Sequence, residues 1–398
     1  MSDTIKAVLS NAQHPEYGQA TVSFPIPRKE YDHTMELLEG LGIGDALEED
    51  CRVAELDSRY PVLNRLEGAK VNVDELDYLA KRLGCFCKGE RDQFMAMAHK
   101  LNVSDIQDFI NLTFCCQEAT VITDFSDLEA VGRAHYMNLH GGCASSEELA
   151  GLDGYETALR LIDSGGGKVT PYGVVYDNGM ELRQLYNGYS FPVYFYEDCP
   201  LVMCIASRQN GERAYLELPV SDRQIGRTLL RAEIANLRDA ELSVEVDDLP
   251  QKISDRLHLE REGLDDLNAM CLAIQRLEPK QKEKLEAVVC AAQPDCAREV
   301  RRLAEELEQF DFIPDVHTAE EYGKYMIQES GHFEYDENLE GFYNYTRYGN
   351  ERIKAENGLF TSFGYVAYHG TIPLLELMQN DPAEQYRQEQ GPQMGGLA

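Results

Sequence analysis

The sequence predicts an α+β protein whose small antiparallel sheets alternate with helical-bundle segments in an elongated, multi-domain and internally duplicated chain. Three observations predict this class: a glycine-rich segment that occurs twice, strand-like runs near the start of each half, and helical apolar spacing in the middle of each half. With 398 residues and 43% hydrophobic content, the chain can bury more than one hydrophobic core.

The duplicated segment sets the register of the repeat. Gly167-Lys-Val-Thr170-Pro-Tyr172-Gly173-Val-Val175-Tyr-Asp-Asn-Gly179 returns 191 residues later as Gly358-Leu-Phe-Thr361-Ser-Phe363-Gly364-Tyr-Val366-Ala-Tyr-His-Gly370. The same offset relates residues 73–83 to residues 264–274. A colinear series of matches at one offset predicts a duplication. We therefore divide the chain into a first half (residues 1–196) and a second half (residues 197–398).

Each half begins with a predicted α+β segment, at about 1–69 and 197–260. The second copy is the clearer one, because Leu201–Ile205 and Ala214–Leu218 flank Asn210-Gly211, a favoured hairpin turn. In the first half, Ile5–Leu9 and Ala20–Phe24 predict the equivalent hairpin. The pattern then predicts a helix and a further strand in each copy, at 28–38 and 51–56 and at 222–230 and 242–246.

The middle of each half, about 70–120 and 261–311, is predicted to be helical. Its apolar residues recur at helical spacing and are interpreted as core. A capping box, Ser104-Asp-Ile-Gln107, predicts the start of the third helix in the first half. The predicted core positions of that half are Leu76, Leu79, Ala80, Leu83, Phe94, Met97, Leu101, Ile106, Phe109 and Ile110.

The third segments, about 121–196 and 312–378, are again predicted to be α+β. Each opens with a capping box, Ser126-Asp-Leu-Glu129 or Thr318-Ala-Glu-Glu321, that predicts a helix to about residue 137 or 328. A polar, glycine-rich connector is expected next, followed by the duplicated segment, in which Val175 and Val366 pair within a sheet. Residues 379–398 are predicted to be a flexible tail.

Composition excludes several classes of function. The net charge of −33 repels nucleic acids and anionic membranes and attracts basic surfaces, so we expect neither direct nucleic-acid binding nor membrane binding. The eleven cysteines lack the spacing of a zinc site, which predicts reduced thiols and no metal. With no visible signal peptide and no apolar stretch of membrane length, the sequence predicts a cytoplasmic protein.

Catalytic motifs are also missing from the sequence. It contains no Gly-x-Ser-x-Gly elbow, no His-Glu-x-x-His pair and no kinase signature. Ser164-Gly-Gly-Gly-Lys168 resembles a phosphate loop, but Val169 stands where that loop needs Ser or Thr, so a structural turn is predicted. We expect no enzyme activity, no catalytic residues and no cofactor.

The acidic residues are unevenly distributed. Residues 101–150 hold eight acids against one base, and residues 301–350 hold twelve against four, whereas residues 51–100 hold eight against nine. The candidate partner-binding residues are therefore carboxylates in these two acidic stretches: Asp105, Asp108, Glu118, Asp124, Asp127, Glu129, Glu147, Glu148, Glu305, Glu306, Glu308, Asp311, Asp315, Glu320, Glu321, Glu334, Asp336, Glu337 and Glu340.

Such carboxylates can imitate the phosphates of DNA. Residues three or four apart on a helix have Cβ atoms about 5–6 Å apart, a separation similar to that of successive phosphates along one strand. Because duplex DNA carries one charge per about 1.7 Å of its axis, 33 net charges correspond to roughly 55–60 Å of duplex. The chain therefore carries enough charge to imitate one face of a DNA segment.

The second half resembles the ArdA antirestriction proteins of conjugative elements. The resemblance rests on Tyr215-Leu-Glu-Leu-Pro219-Val220, Ala319-Glu-Glu-Tyr322-Gly-Lys-Tyr325-Met-Ile-Gln-Glu329-Ser-Gly331, Asn338-Leu339 with Tyr345-Thr-Arg-Tyr348-Gly349, and the final glycine segment. It covers about residues 200–370 and, through the duplication, residues 5–180 more weakly. The order and spacing of these motifs carry the resemblance, since none of them is a catalytic signature.

This resemblance implies an elongated, non-enzymatic protein that imitates bent B-form DNA and occupies the DNA-binding groove of type I restriction–modification enzymes. The implied partner is the methyltransferase/specificity complex of such an enzyme. Typical members are single units that dimerise, whereas this chain carries two units, so an internal pseudo-dimer and a homodimer both remain open. Alternative functions are inhibition of another defence nuclease, such as a CRISPR effector, and an acidic adaptor or chaperone for basic proteins.

Overall fold

The computed structural model describes residues 4–235, 237 and 240–380. Within these residues the chain forms two compact units. Unit 1 comprises residues 4–197, 206–214 and the described part of 221–240, and unit 2 comprises residues 198–205, 215–220 and 241–380. The units thus divide the chain differently from the two sequence halves, because residues 221–235 of the second half belong to unit 1.

The helices and strands of the first half follow one another as short elements. They are β1 (Ile5–Asn11), β2 (Gln19–Phe24), α1 (Tyr31–Glu39), β3 (Cys51–Ser58), β4 (Lys70–Val71), α2 (Val73–Gly84), α3 (Lys88–Leu101), α4 (Ile106–Leu112), β5 (Thr120–Ile122), α5 (Leu128–Leu139), α6 (Ser146–Gly151), α7 (Gly154–Asp163), β6 (Lys168–Thr170) and β7 (Gly173–Tyr176).

The second half contains a closely similar series. Its elements are β8 (Leu201–Ser207), β9 (Arg213–Leu218), α8 (Asp222–Arg231), β10 (Ala240–Asp247), α9 (Gln251–Arg256), α10 (Leu264–Gln275), α11 (Pro279–Ala292), α12 (Ala297–Glu305), β11 (Phe310–Pro314), α13 (Ala319–Gln328), α14 (Tyr345–Glu356), β12 (Leu359–Phe360), β13 (Gly364–Tyr368) and α15 (Leu374–Gln379). The last helix reaches residue 379, and the remainder of the predicted tail, residues 381–398, lies outside the described residues.

The strands of the described ranges form four small antiparallel sheets, which together with the helices confirm the α+β class. The orders are β2-β1-β3-β4 and β5-β7-β6 in the first half, and β10-β8-β9 and β11-β13-β12 in the second. The predicted hairpin of the first half is confirmed, with Ile5 opposite Phe24. Val175 pairs with Val121 and Val366 pairs with Phe312, so both predicted sheet pairings are also confirmed.

Corresponding elements of the two halves recur at the offset found in the sequence. Helix α10 begins and ends 191 residues after α2, and α11 does so relative to α3. The turns before β7 and β13 also agree in detail, since the Thr170 hydroxyl donates to the Gly173 carbonyl and the Thr361 hydroxyl donates to the Gly364 carbonyl. The recurrence of the sequence therefore extends to the positions of helices and to individual hydrogen bonds.

Positive φ explains why glycine occurs at one position of both duplicated segments. Gly173 has φ +124° and Gly364 has φ +141°, values that side chains with a Cβ rarely adopt. A Cβ at Gly364 would lie 2.2 Å from the carbonyl oxygen of Ile313 on the neighbouring strand. The strand pairing that closes each third segment therefore needs glycine at its first position.

The predicted helical core is largely confirmed. Leu76, Phe94 and Phe109 are fully buried in the core of unit 1, and Leu267 and Leu285 are fully buried in unit 2. Leu101 was predicted as core but is 42% exposed. It is the last residue of α3, and Asn102 leaves the helix in the left-handed conformation, so the helical stripe no longer continues there.

Two of the three predicted capping boxes are wrong by one residue. Asp105, rather than Ser104, caps α4 by accepting from the Gln107 N–H, and Asp127, rather than Ser126, caps α5 by accepting from the Ala130 N–H. In both cases a second capping-type residue directly follows the serine, and the sequence alone does not choose between adjacent candidates. The Thr318 box is confirmed, with Glu321 as its reciprocal partner.

The connector predicted after α5 and α13 was wrong, because it contains helices α7 and α14. Helix α7 crosses α5 so closely that a Cβ at Gly132 would lie 1.8 Å from the Gly154 carbonyl oxygen. The same crossing joins α13 and α14, where a Cβ at Gly323 would lie 2.0 Å from the Tyr345 carbonyl oxygen. Within the connectors, Gly154 and Gly349 complete these crossings, since a Cβ there would lie 2.4 Å from the Glu129 carbonyl oxygen and 1.9 Å from the Ala319 carbonyl oxygen. Glycine in a polar connector normally indicates a loop, but these two permit helix backbones to touch.

Candidate partner-binding surface

The nineteen candidate carboxylates lie at the surface. None of them is buried; sixteen are exposed, and Asp108, Glu118 and Glu306 are half-buried. Exposure keeps a carboxylate ionised and accessible to a cationic partner. The nineteen carboxylates are therefore accessible at the surface, but their local contacts divide them into groups that differ in how much of their charge is available to a partner.

Six of the carboxylates that have no arginine partner accept backbone N–H groups at helix starts or turns. They are Asp105, Asp124, Asp127, Glu148, Glu321 and Asp336. Backbone hydrogen bonds hold the pKa values of Asp124, Glu148 and Glu321 below their ordinary range. These groups are therefore negative and fixed in direction, although part of their hydrogen-bonding capacity is used by the fold.

Four others are neutralised by arginine within the fold. Glu118 contacts Arg183 at 2.7 Å and Glu129 contacts Arg133 at 2.8 Å. Glu305 and Glu306 both contact Arg302, whose Nη atoms lie 2.9 Å and 3.5 Å from their respective oxygens. A partner's lysine or arginine would have to displace these internal arginines, so the four carboxylates are weaker candidates than the sequence indicated.

Asp108 and Asp311 have weaker internal partners. The Gln184 amide lies 3.3 Å from an Asp108 oxygen, and the His369 Nε2 atom lies 3.8 Å from an Asp311 oxygen. Neither contact is an ion pair with lysine or arginine, although the ammonium group of Lys284 also attracts Asp311 and Glu308. Both residues therefore stay available as anionic groups.

The remaining seven carboxylates make no side-chain hydrogen bond or ion pair with any other described residue. They are Glu147, Glu308, Asp315, Glu320, Glu334, Glu337 and Glu340. Six of these seven lie in unit 2 between residues 308 and 340. The structure therefore narrows the candidate surface from two acidic stretches to one principal stretch.

Local structure fixes part of this stretch. Asp315 follows β11 in the left-handed conformation, φ +59°, and its N–H donates to the Phe363 carbonyl across the turn. Glu320 and Glu321 occupy the first turn of α13, where the helix dipole favours negative charge. The carboxylates of this region are thus built onto a strand end and a helix start, which are more rigid supports than a free loop.

The sequence reasoning missed the aromatic residues of the same region. Between α13 and α14, Phe333 and Phe342 are exposed. Tyr335, Tyr343 and the first residue of α14, Tyr345, form a chain of ring contacts with centroids 5.7 and 5.8 Å apart. The available signal was the alternation of aromatic and acidic residues from 333 to 343, which fits neither helical nor strand periodicity.

Other site types find no support in the residues that the structure describes. Among residues 4–235, 237 and 240–380, no three His, Cys, Asp or Glu side chains are grouped to hold a metal ion. Across the same ranges, no helix combines the length and the apolar character needed to cross a membrane. No protein-family model matches the chain, and a search of the curated proteins also finds no match.

Proposed function

We propose that this protein is an antirestriction protein: an acidic DNA mimic that competitively occupies the DNA-binding groove of a type I restriction–modification enzyme. In this proposal the chain is an anti-defence protein of a mobile genetic element. Its two sequence halves, residues 1–196 and 197–398, are duplicated ArdA-like segments. The protein neither catalyses a reaction nor holds a cofactor.

The exposed carboxylates between residues 315 and 340 that make no hydrogen bond or ion pair with another described residue carry the proposal. A folded protein usually pairs or disperses its charges, because like charges held close together repel one another. Glu320, Glu334, Glu337 and Glu340 are instead exposed and lack internal partners among the described residues. Their charges are therefore available to an external cationic surface, and the groove that binds DNA phosphates is such a surface.

The mechanism is competition for lysine and arginine side chains. Carboxylates would contact the basic residues that normally hold phosphates, so the inhibitor and DNA could not bind together. Because this attraction acts between opposite charges exposed to solvent, it weakens as salt is added. Many contacts share the binding energy, and no single acid is expected to dominate.

The proposal includes a location and an assembly. We place the protein in the cytoplasm, where its target enzyme meets incoming DNA and where thiols remain reduced. None of the eleven cysteines, all of which lie in the described part of the chain, forms a disulfide bond, which fits that compartment. For the assembly, the proposal includes either an internal pseudo-dimer or a homodimer of the chain.

The decisive experiment measures binding to a purified type I methyltransferase in the presence and absence of its duplex DNA. We expect the DNA to displace the protein and the protein to displace the DNA, with reciprocal dependence on concentration. Simultaneous binding of both without mutual competition would end the proposal. Polyglutamate, added at a concentration that supplies the same total negative charge as the protein, is the control for non-specific attraction to the basic groove.

Two alternatives make different predictions. Inhibition of another defence nuclease, such as a CRISPR effector, predicts the same competition with that enzyme and none with the methyltransferase. An acidic adaptor or chaperone needs no elongated scaffold, so solution scattering would give a radius of gyration near about 21 Å, the value for a compact protein of this length. The DNA mimic requires a clearly larger value.

A further inference from the structure

The segment between α13 and α14 exposes apolar side chains that the proposed electrostatic mechanism does not use. Phe342 is 86% exposed, Phe333 is 51% exposed and Leu339 is 47% exposed. Exposed aromatic residues grouped in one short segment are unusual on a protein surface and often mark a site of interaction with another protein.

The backbone that presents Phe342 is held in place by the fold. Asp336 caps the 3₁₀ turn Glu337–Phe342 by accepting from the Asn338 N–H at 2.9 Å. The Gln328 side-chain amide donates to the hydroxyl groups of Tyr335 and Tyr345, each at 2.9 Å. A partner would therefore meet a pre-ordered surface, which lowers the entropic cost of binding.

The charges around Phe342 restrict what can bind there. Glu334, Glu337 and Glu340 are exposed and have no hydrogen-bond or ion-pair partner in the described part of the chain. These carboxylates repel nucleic acid, anionic lipid and a second copy of this chain, whose net charge is −33. They complement a protein surface on which lysine or arginine surrounds an apolar pocket.

We propose that Phe342 is an apolar anchor that inserts into a pocket of a basic partner protein, while the surrounding carboxylates contact the basic rim of that pocket. The anchor proposal deepens the proposed function. It rests on the proposed function only in naming the methyltransferase as the partner. DNA itself has no such anchor, so Phe342 would give the mimic a contact that its competitor lacks.

The contributions of the Phe342 anchor and of the carboxylates to binding can be separated by measuring both the affinity and its dependence on salt. Replacement of Phe342 by Ala should weaken binding to the methyltransferase about tenfold, with little change in the salt dependence because no charge is removed. Phe342→Leu should retain most of the affinity. Since Phe342 is 86% exposed, its removal should leave the folding stability unchanged. The matched control is Val169→Ala, which truncates another exposed apolar side chain, one that lies beside Lys168.

A direct test uses the absence of tryptophan from the chain. In the Phe342→Trp variant the single indole reports burial, because its emission shifts to shorter wavelength when it leaves water. Two probes are used: the purified methyltransferase and a helical peptide of leucine and lysine. A peptide of leucine and glutamate and the Val169→Trp variant are the controls, and neither should give a shift.

The outcomes distinguish the anchor from the inhibitor proposal. A shift with the methyltransferase supports the anchor, and binding without a shift overturns it while the inhibitor proposal stands if DNA competes. If the unsubstituted protein does not bind the methyltransferase, the inhibitor proposal fails and the leucine–lysine peptide decides the anchor. A shift with that peptide then supports the anchor, and no shift overturns it.

Discussion

The guanidinium of Arg227 forms a two-pronged contact with the carboxylate of Asp74, with Nη2 at 2.8 Å and Nε at 3.0 Å from one oxygen. Both side chains are only 12% exposed. Arg227 lies on α8, so within unit 1 this pair joins a helix of the second sequence half to the start of α2. Neighbouring Arg231 extends the contact by donating to Asn72 at 2.6 Å.

Replacing Arg227 by Met should destabilise unit 1 by about 2–4 kcal/mol, because Asp74 would be left largely buried with its main partner removed. Arg223→Met is the matched control. Arg223 is on the same helix face and pairs with exposed Glu39, so its loss should cost about 1 kcal/mol or less. Hydrogen exchange of backbone amides in α2 measures the difference, and equal protection in the two variants would contradict this ranking.

Gly323 should tolerate no side chain, because α13 and α14 touch at this point. In Gly323→Ala the new methyl group would lie 2.0 Å from the Tyr345 carbonyl, and separating the helices should cost about 2–4 kcal/mol. Gly226→Ala is the helical control, since a Cβ there has nothing within 4 Å and should be neutral or slightly stabilising. The stabilities are measured by urea denaturation followed by circular dichroism. If Gly323→Ala were as stable as Gly226→Ala and the unsubstituted protein, the close crossing of α13 and α14 would be refuted.

The start of α5 offers a test between two adjacent residues. Asp127→Ala should destabilise this region by about 1 kcal/mol, because the N–H of Ala130 loses its acceptor. Ser126→Ala should have little effect, since Ser126 is not the N-cap. Amide exchange at residues 128–131 compares the two variants. A larger loss of protection in the serine variant would show that the capping box expected from the sequence forms after all.

His135 should make unit 1 less stable in mild acid. Its Nδ1 atom lies 2.9 Å from the Thr120 hydroxyl, and burial lowers its pKa from the ordinary 6.5. The unfolded chain therefore binds a proton at higher pH than the folded one. This contribution to stability is fully present above about pH 6.5 and is lost as the pH falls through the lowered folded pKa.

The measurement for His135 compares urea unfolding at about pH 7.5 and about pH 5.5. His135→Gln retains a hydrogen-bonding side chain but does not titrate, so the loss of stability between these two pH values should be smaller in the variant. The other histidines are present in both proteins and cancel in the comparison. An identical pH dependence in the two proteins would show that His135 is not held neutral by the fold.

The two groups of carboxylates should differ in binding. Replacing unpartnered Glu320, Glu334, Glu337 and Glu340 together by Gln should weaken binding to the methyltransferase about tenfold, and it should reduce the dependence of affinity on salt. The control variant replaces the arginine-paired acids Glu118, Glu129, Glu305 and Glu306. The control variant should lose folding stability rather than affinity for the methyltransferase. Equal losses of affinity in the two variants would contradict the distinction between unpartnered and arginine-paired carboxylates.

Much of the element order was predictable because its signals are local. The stripes through Leu76 and Phe94 recur every three to four residues, and helices α2 and α3 follow from that spacing alone. Because matching segments occur in both halves, a helix or strand predicted in one half could be compared with the corresponding segment of the other half. Helices α7 and α14 were missed because the glycines and polar residues that allow their close crossing are, in a single sequence, the same residues that indicate a loop.

The candidate surface was predictable only in part. Exposure of the acids follows from their charge, since an unpaired carboxylate is costly to bury. Glu305 is paired with Arg302, whereas Glu340 faces solvent. This difference depends on side-chain geometry, which cannot be read from composition. The aromatic residues beside Glu340 had a visible pattern, but their exposure became known only from the packing of the segment.

By itself the sequence determined the net charge, the 191-residue offset between its matching segments and most helix and strand positions, because each can be read from composition or from the order of residues along the chain. Tertiary structure alone decided that α8 belongs to unit 1, that α13 and α14 touch through glycine, and which carboxylates keep a free charge. Those features depend on contacts such as Asp74 with Arg227, whose partners lie 153 residues apart. No local pattern specifies such a pairing, since many acids could meet many arginines until packing selects one.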